Sequence, residues 1–191
     1  MQRSRLALVL VLIFGLAPLL LADSSRYGGG LWGETTVFPS IKNWESLRIG
    51  LMRGECFGTC PSYKVEIQGD GTVRYEGRRH VIAAGKREGK IPAQTVRELF
   101  AQFRAAEFFS LRDYYVAKIT DSPAYMISIA FDGNRKVVGD YVGYLVGMPA
   151  VVSDLEYSID WYADSKRWVG TDYPIVLPPP LYSEKQELHF P

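Results

Sequence analysis

Apolar and polar residues alternate in three separable parts of the chain. Leu47, Ile49 and Leu51 alternate with Arg48, Gly50 and Met52, which predicts a strand running into a short cysteine loop. Tyr63, Val65 and Ile67 then alternate with Lys64, Glu66 and Gln68. After Gly69-Asp70-Gly71, Val73 and Tyr75 alternate with Thr72, Arg74 and Glu76. Two period-two runs around a Gly-Asp-Gly turn predict a hairpin with one buried and one wet face. Tyr125, Ile127, Ile129 and Phe131 open the third part, and Asp132-Gly133-Asn134 turns it into a second hairpin ending near Tyr141.

Two stretches carry helical spacing instead. Val96, Leu99, Phe100, Phe103 and Ala106 recur on one face behind Pro92, opposite Gln94, Arg97, Glu98 and Arg104. Met148, Val151, Val152, Leu155, Ile159 and Tyr162 define a second one-sided helix, with Asp154, Glu156 and Asp160 expected away from its apolar face. Between the central hairpin and the first helix lie Val81 to Ala83, a turn near Gly85 and a polar strand reaching Ile91. Asp113 to Pro123 reads as a loop. The expected fold is therefore α+β, an antiparallel sheet of about five to six strands with two helices on one face.

The flanks differ in character. Residues 1–22 combine a basic start, the apolar run Leu6 to Leu21 broken by Gly15 and Pro18, and Ala22 before a polar switch at Asp23. This is the pattern of a secretory signal removed after Ala22, and the run falls short of the ~20 residues a spanning helix needs. No stable membrane anchor is expected after removal. Residues 23–45 read as a flexible leader, 46–168 as one domain and 169–191 as a Pro-rich tail. Gly28-Gly29-Gly30-Leu31-Trp32-Gly33 matches G-x-G-x-x-G, but no strand precedes it and no helix start follows, so it is no nucleotide site.

Charge excludes one class of partner. The chain holds 22 basic and 21 acidic residues, net +1. Losing Arg3 and Arg5 with the signal leaves 20 against 21, or −1. Such a balance gives no electrostatic case for nucleic acid. The basic segment of Arg78, Arg79, His80, Lys86, Arg87 and Lys90 lacks interleaved aromatics, and it suits a sheet edge guarded by charge.

Little chemistry is encoded openly. Cys56 and Cys60 are the only cysteines, and in an exported protein they most simply form one disulfide. Zinc held with His80 and His189 lacks the usual spacing, and C-x-x-x-C is not the redox C-x-x-C. No serine-hydrolase, zinc-protease or P-loop motif is present, and no cofactor is implied. Asp113, Asp121 and Asp140 are the loop carboxylates through which a hydrolase could work. Tyr114, Tyr115, Tyr141 and Tyr144 lie near strand ends and could line a recognition surface. Asp113, Tyr114, Tyr115, Asp121, Asp140 and Tyr141 together form the candidate surface site, for a protein or a cell-envelope polymer.

The run Cys56-Phe57-Gly58-Thr59-Cys60-Pro61-Ser62-Tyr63, with Gly69-Asp70-Gly71 and Tyr75-Glu76-Gly77, resembles the bacterial family called domain of unknown function 6438. Gly85, Ile91, Phe108-Phe109-Ser110-Leu111, Asp121 and Pro123 extend the resemblance, which covers about Ser46 to Trp168. It implies an exported bacterial domain and carries no activity or catalytic residues.

Overall fold

The structure, a computed structural model, describes residues 37–170. The expected signal segment 1–22, the expected leader up to residue 36 and the expected tail from residue 171 lie outside the described residues. The strands are β1 (Arg48–Arg53), β2 (Ser62–Gln68), β3 (Thr72–Arg79), β4 (Gly85–Lys90), β5 (Tyr114–Val116), β6 (Tyr125–Phe131) and β7 (Asn134–Tyr141). The helices are α1 (Ala93–Ala105), α2 (Ala150–Tyr162) and the one-turn α3 (Lys166–Val169). Among the described residues, the seven strands form one sheet in the order β4-β3-β2-β1-β6-β7-β5.

The α+β class holds, with two corrections to the expected sheet. It has seven strands rather than five to six, and it is mixed rather than antiparallel, because β5 pairs with β7 in parallel. Tyr114 to Val116 lie inside the stretch expected to be a loop. Three residues are too few to show an alternation, and their pairing partner lies more than twenty positions away. The turn chemistry is as expected elsewhere. Gly71 has φ +88°, and a Cβ there would strike the carbonyl of Ile91, so glycine is required on both counts. Pro92 stands just outside α1 as its N-cap rather than in the first turn.

One face of the sheet is dry. Ile49 and Leu51 of β1, Val65 and Ile67 of β2, and Val73 and Tyr75 of β3 are buried. Val96, Leu99, Phe100 and Phe103 of α1 and Val152, Leu155 and Ile159 of α2 are buried in the same core. Burial of a large apolar side chain contributes roughly 1.5–3 kcal/mol, so this layer supplies most of the drive to fold. The core reaches beyond the expected domain start: Phe38 lies 5.5 Å from Phe100 and 5.1 Å from Phe109, ring centre to ring centre. Asp132 holds this segment in place by accepting from the Lys42 and Asn43 amides and the Ser46 hydroxyl. Those bonds, the Lys42 amide first, keep its carboxyl below the usual range.

No described helix or strand covers the other face. There Lys86, Glu76 and Lys64 lie in one cross-strand row, and Glu88, Arg74 and Glu66 in the next. Opposite charges meet at every step, which favours this register and discourages apolar docking. These ladders, with Gly50, Met52, Met126, Ser128 and Val137 beside them, line an open trough of about 780 Å³. No described helix is long and apolar enough to cross a membrane.

Candidate functional site

The pairing pattern brings four loops to one end of the sheet. These are 54–61 between β1 and β2, 80–84 between β3 and β4, 117–124 between β5 and β6, and 142–149 between β7 and α2. The Phe57 amide donates to the Asp121 carbonyl at 3.3 Å, and the Gly54 amide to the Ala124 carbonyl at 2.7 Å, joining two of them. Cys56 and Cys60 are disulfide-bonded, their Cα atoms 5.6 Å apart. The closed loop displays Phe57, which is 89% exposed.

Beneath these loops the inner face of the sheet turns polar. Cross-strand registers align Tyr63, Arg53, Tyr125, Asp140 and Tyr115 in one row across five neighbouring strands. Arg53 continues the inward positions of Ile49 and Leu51, so its guanidinium is carried under α2. Its Nε donates to Asp160 Oδ2 at 2.8 Å, and its Nη1 stands 3.9 Å from Glu156 Oε2. Asp160 also accepts from Tyr63 Oη at 2.8 Å and Ser165 Oγ at 2.6 Å. The guanidinium lies 4.5 Å from the centre of the Tyr125 ring, within cation–π range.

Glu156 is the electrostatic oddity of this cluster. Burial pushes its carboxyl up to about 8, against the pull of Arg53 and with added repulsion from Asp140 and Asp160. Its Oε1 has no hydrogen-bond partner among the described residues. At neutral pH the group is thus largely a neutral acid beside a cation. Arg53 and Glu156 are only 1% and 3% exposed, so this arrangement holds α2 on the sheet and is closed to a reacting molecule. Of the three helix-two acids expected on its wet face, two turn inward instead, Glu156 fully and Asp160 for the most part, while Asp154 is half-buried. The signal was there: Glu156 stands four residues after Val152 and three before Ile159, an inward position.

The six candidate residues lie on or beside β5, the end of β7 and the 117–124 loop. Tyr115 is opposite Asp140, and Val116 opposite Tyr141. Asp140 is buried, which raises its carboxyl, and it accepts the Gly143 amide at 2.6 Å. Tyr115 is buried, and its Oη accepts from the Arg112 amide at 3.3 Å. The Tyr141 Oη accepts from the Ser122 amide at 3.4 Å. Asp113 pairs with Lys136 Nζ at 2.6 Å, and Lys136 is four residues, about 13 Å, back along β7 from Asp140. Asp121 has φ +69° and accepts from its neighbour Thr120 at 3.0 Å. Of the six, Tyr114 alone combines high exposure with a large apolar surface.

Among the described residues, no three or more His, Cys, Asp or Glu side chains are placed to hold a metal ion. Residues 47–163 match the family described as Domain of unknown function (DUF6438). The chain belongs to this family. No curated protein matches it. The DUF6438 span runs from the residue before β1 to the C-cap of α2. Phe38, Trp44 and Trp168 lie outside that span and still pack on its core.

Proposed function

We propose that this DUF6438 protein is an exported, non-catalytic interaction module of the bacterial cell envelope, binding another protein through the loop end of its sheet. One observation carries the reading: exposed large apolar side chains gather on loops at that end. Phe57, Ile119, Tyr144 and Leu145 stand there, with Val116 of β5 beside them, and Ile82 stands at the far β3–β4 corner of the same end. Clustered exposed apolar residues mark interaction sites more often than a bare surface would. A disulfide holds Phe57 in a short ring, and an aromatic anchor already ordered before binding loses less entropy on contact. The disulfide and the N-terminal apolar run both fit an oxidising compartment. The hydrolase alternative needs two of Asp113, Asp121 and Asp140 in one cleft, and each is held by different partners.

Site-specific photo-crosslinking in the native cell tests the reading. A photoreactive amino acid at Phe57 or Tyr144 should give one discrete protein adduct, while the same group at Glu88 should not. Equal adducts at all three positions, or adducts with glycan only, would overturn it. N-terminal sequencing of the same material should begin at or near Asp23, and an intact Met1 would remove the export part.

A further inference from the structure

The two edges of the sheet are built differently. The β4 edge reads Gly-Lys-Arg-Glu-Gly-Lys, exposed and densely charged, as an edge guarded against strand pairing should be. The β5 edge reads Tyr-Tyr-Val and carries no charge. Tyr114 and Val116 are 65% and 58% exposed, and the turn 143–146, bearing exposed Tyr144 and Leu145, packs beside them.

Backbone direction states what that edge can take. The Asp113 carbonyl accepts the Gly139 amide at 2.8 Å, and the Ala117 amide donates to the Tyr141 carbonyl at 2.9 Å. Odd-numbered residues therefore bond toward β7, and alternation turns the amides and carbonyls of Tyr114 and Val116 outward. No other described strand adjoins β5. Two outward amides and two outward carbonyls, framed by apolar side chains, match the backbone of an extended peptide.

From this we infer that β5 accepts an extended segment of a partner polypeptide as an eighth strand, bearing apolar side chains at alternate positions. Main-chain bonds then supply affinity, and contacts with Tyr114, Val116 and Tyr144 supply selectivity. The inference rests on the interaction-module reading and names its partner class. A second copy of this chain fits less well. An antiparallel pairing that uses both outward residues is centred on Tyr115, and it sets Arg112 of one copy opposite Lys118 of the other. Both side chains are exposed and alike in charge.

The test uses a phage-displayed library of linear dodecapeptides against the mature protein with its disulfide intact. Peptides with alternating apolar residues should enrich, and their binding should shift amide resonances of residues 113–118 rather than of β4. Val116→Pro deletes an outward amide while leaving the β7 ladder bonds, and it should weaken binding at least tenfold. Tyr114→Lys, which needs no backbone change, should do the same. N-methylation at alternate peptide positions should also abolish binding. No enrichment, peptides indifferent to both variants, or dimerisation of the protein that Tyr114→Lys disrupts would each overturn the inference. Photo-crosslinks from Phe57 without any peptide effect at β5 would keep the interaction module and remove the added strand.

Discussion

Arg53 of β1 and Asp160 of α2, 107 positions apart in sequence, meet at 2.8 Å across the sheet–helix interface. Arg53 is almost wholly buried and Asp160 mostly so, and Tyr63 and Ser165 complete the carboxylate's contacts. Taking one partner from such a pair leaves a charge without water or counter-charge. Arg53→Met should therefore destabilise the protein by about 3–5 kcal/mol. A double-mutant cycle with Asp160→Asn should show coupling well above that of an exposed pair such as Arg74 and Glu88. Additive effects in chemical denaturation would show that the pair does not act as a unit.

Glu156 sets a pH dependence with a definite sign. Its carboxyl titrates at about 8 in the folded protein against 4.5 as the ordinary value, so the native state holds the proton more tightly. Its contribution is fully present below pH 4.5 and is lost as pH rises toward 8. Glu156→Gln keeps the shape and removes the titration. The difference in stability between wild type and this variant should move against the wild type between pH 5 and 8. A difference that is flat with pH would mean that Glu156 is ionised throughout.

The two faces of the sheet should respond differently to substitution. Phe103 is wholly buried and packs edge-on to Phe108 at 4.8 Å, so Phe103→Ala should cost about 3–5 kcal/mol. Glu66→Gln on the open face breaks only a partly exposed ion pair with Arg48 and should cost under about 1 kcal/mol. Equal losses in urea unfolding would contradict the face assignment.

Reduction of the Cys56–Cys60 bond should have a modest effect. The bridge closes a five-residue ring, for which chain entropy gives only about 2 kcal/mol. The core does not pass through this loop, so the reduced protein should stay folded at ambient temperature with a lowered Tm. Unfolding on addition of a reductant would show that the loop controls the whole domain. Loss of partner adducts from Phe57 on reduction, with the fold intact, would show that the ring serves display of that side chain.

The local pattern of the chain determined most of the fold. Alternation at Leu47 to Leu51, Tyr63 to Tyr75 and Tyr125 to Phe131 specified strands because every second side chain must reach one core. The spacing of Val96 to Phe103 and Val152 to Ile159 specified the two covering helices for the same reason, and Cys56 and Cys60 were close enough in sequence to be read as a pair. Only the tertiary structure decided where β5 goes, since three residues hold no period and their partners on β7 follow them by 25 positions. It also decided the inner-face row of Tyr63, Arg53, Tyr125 and Asp140. Charge argues locally for a wet position, and burial becomes tolerable only where Asp160 and Glu156, from a distant helix, arrive to face it. The gathering of Phe57, Ile119 and Tyr144 at one end follows from strand order, which no single segment contains.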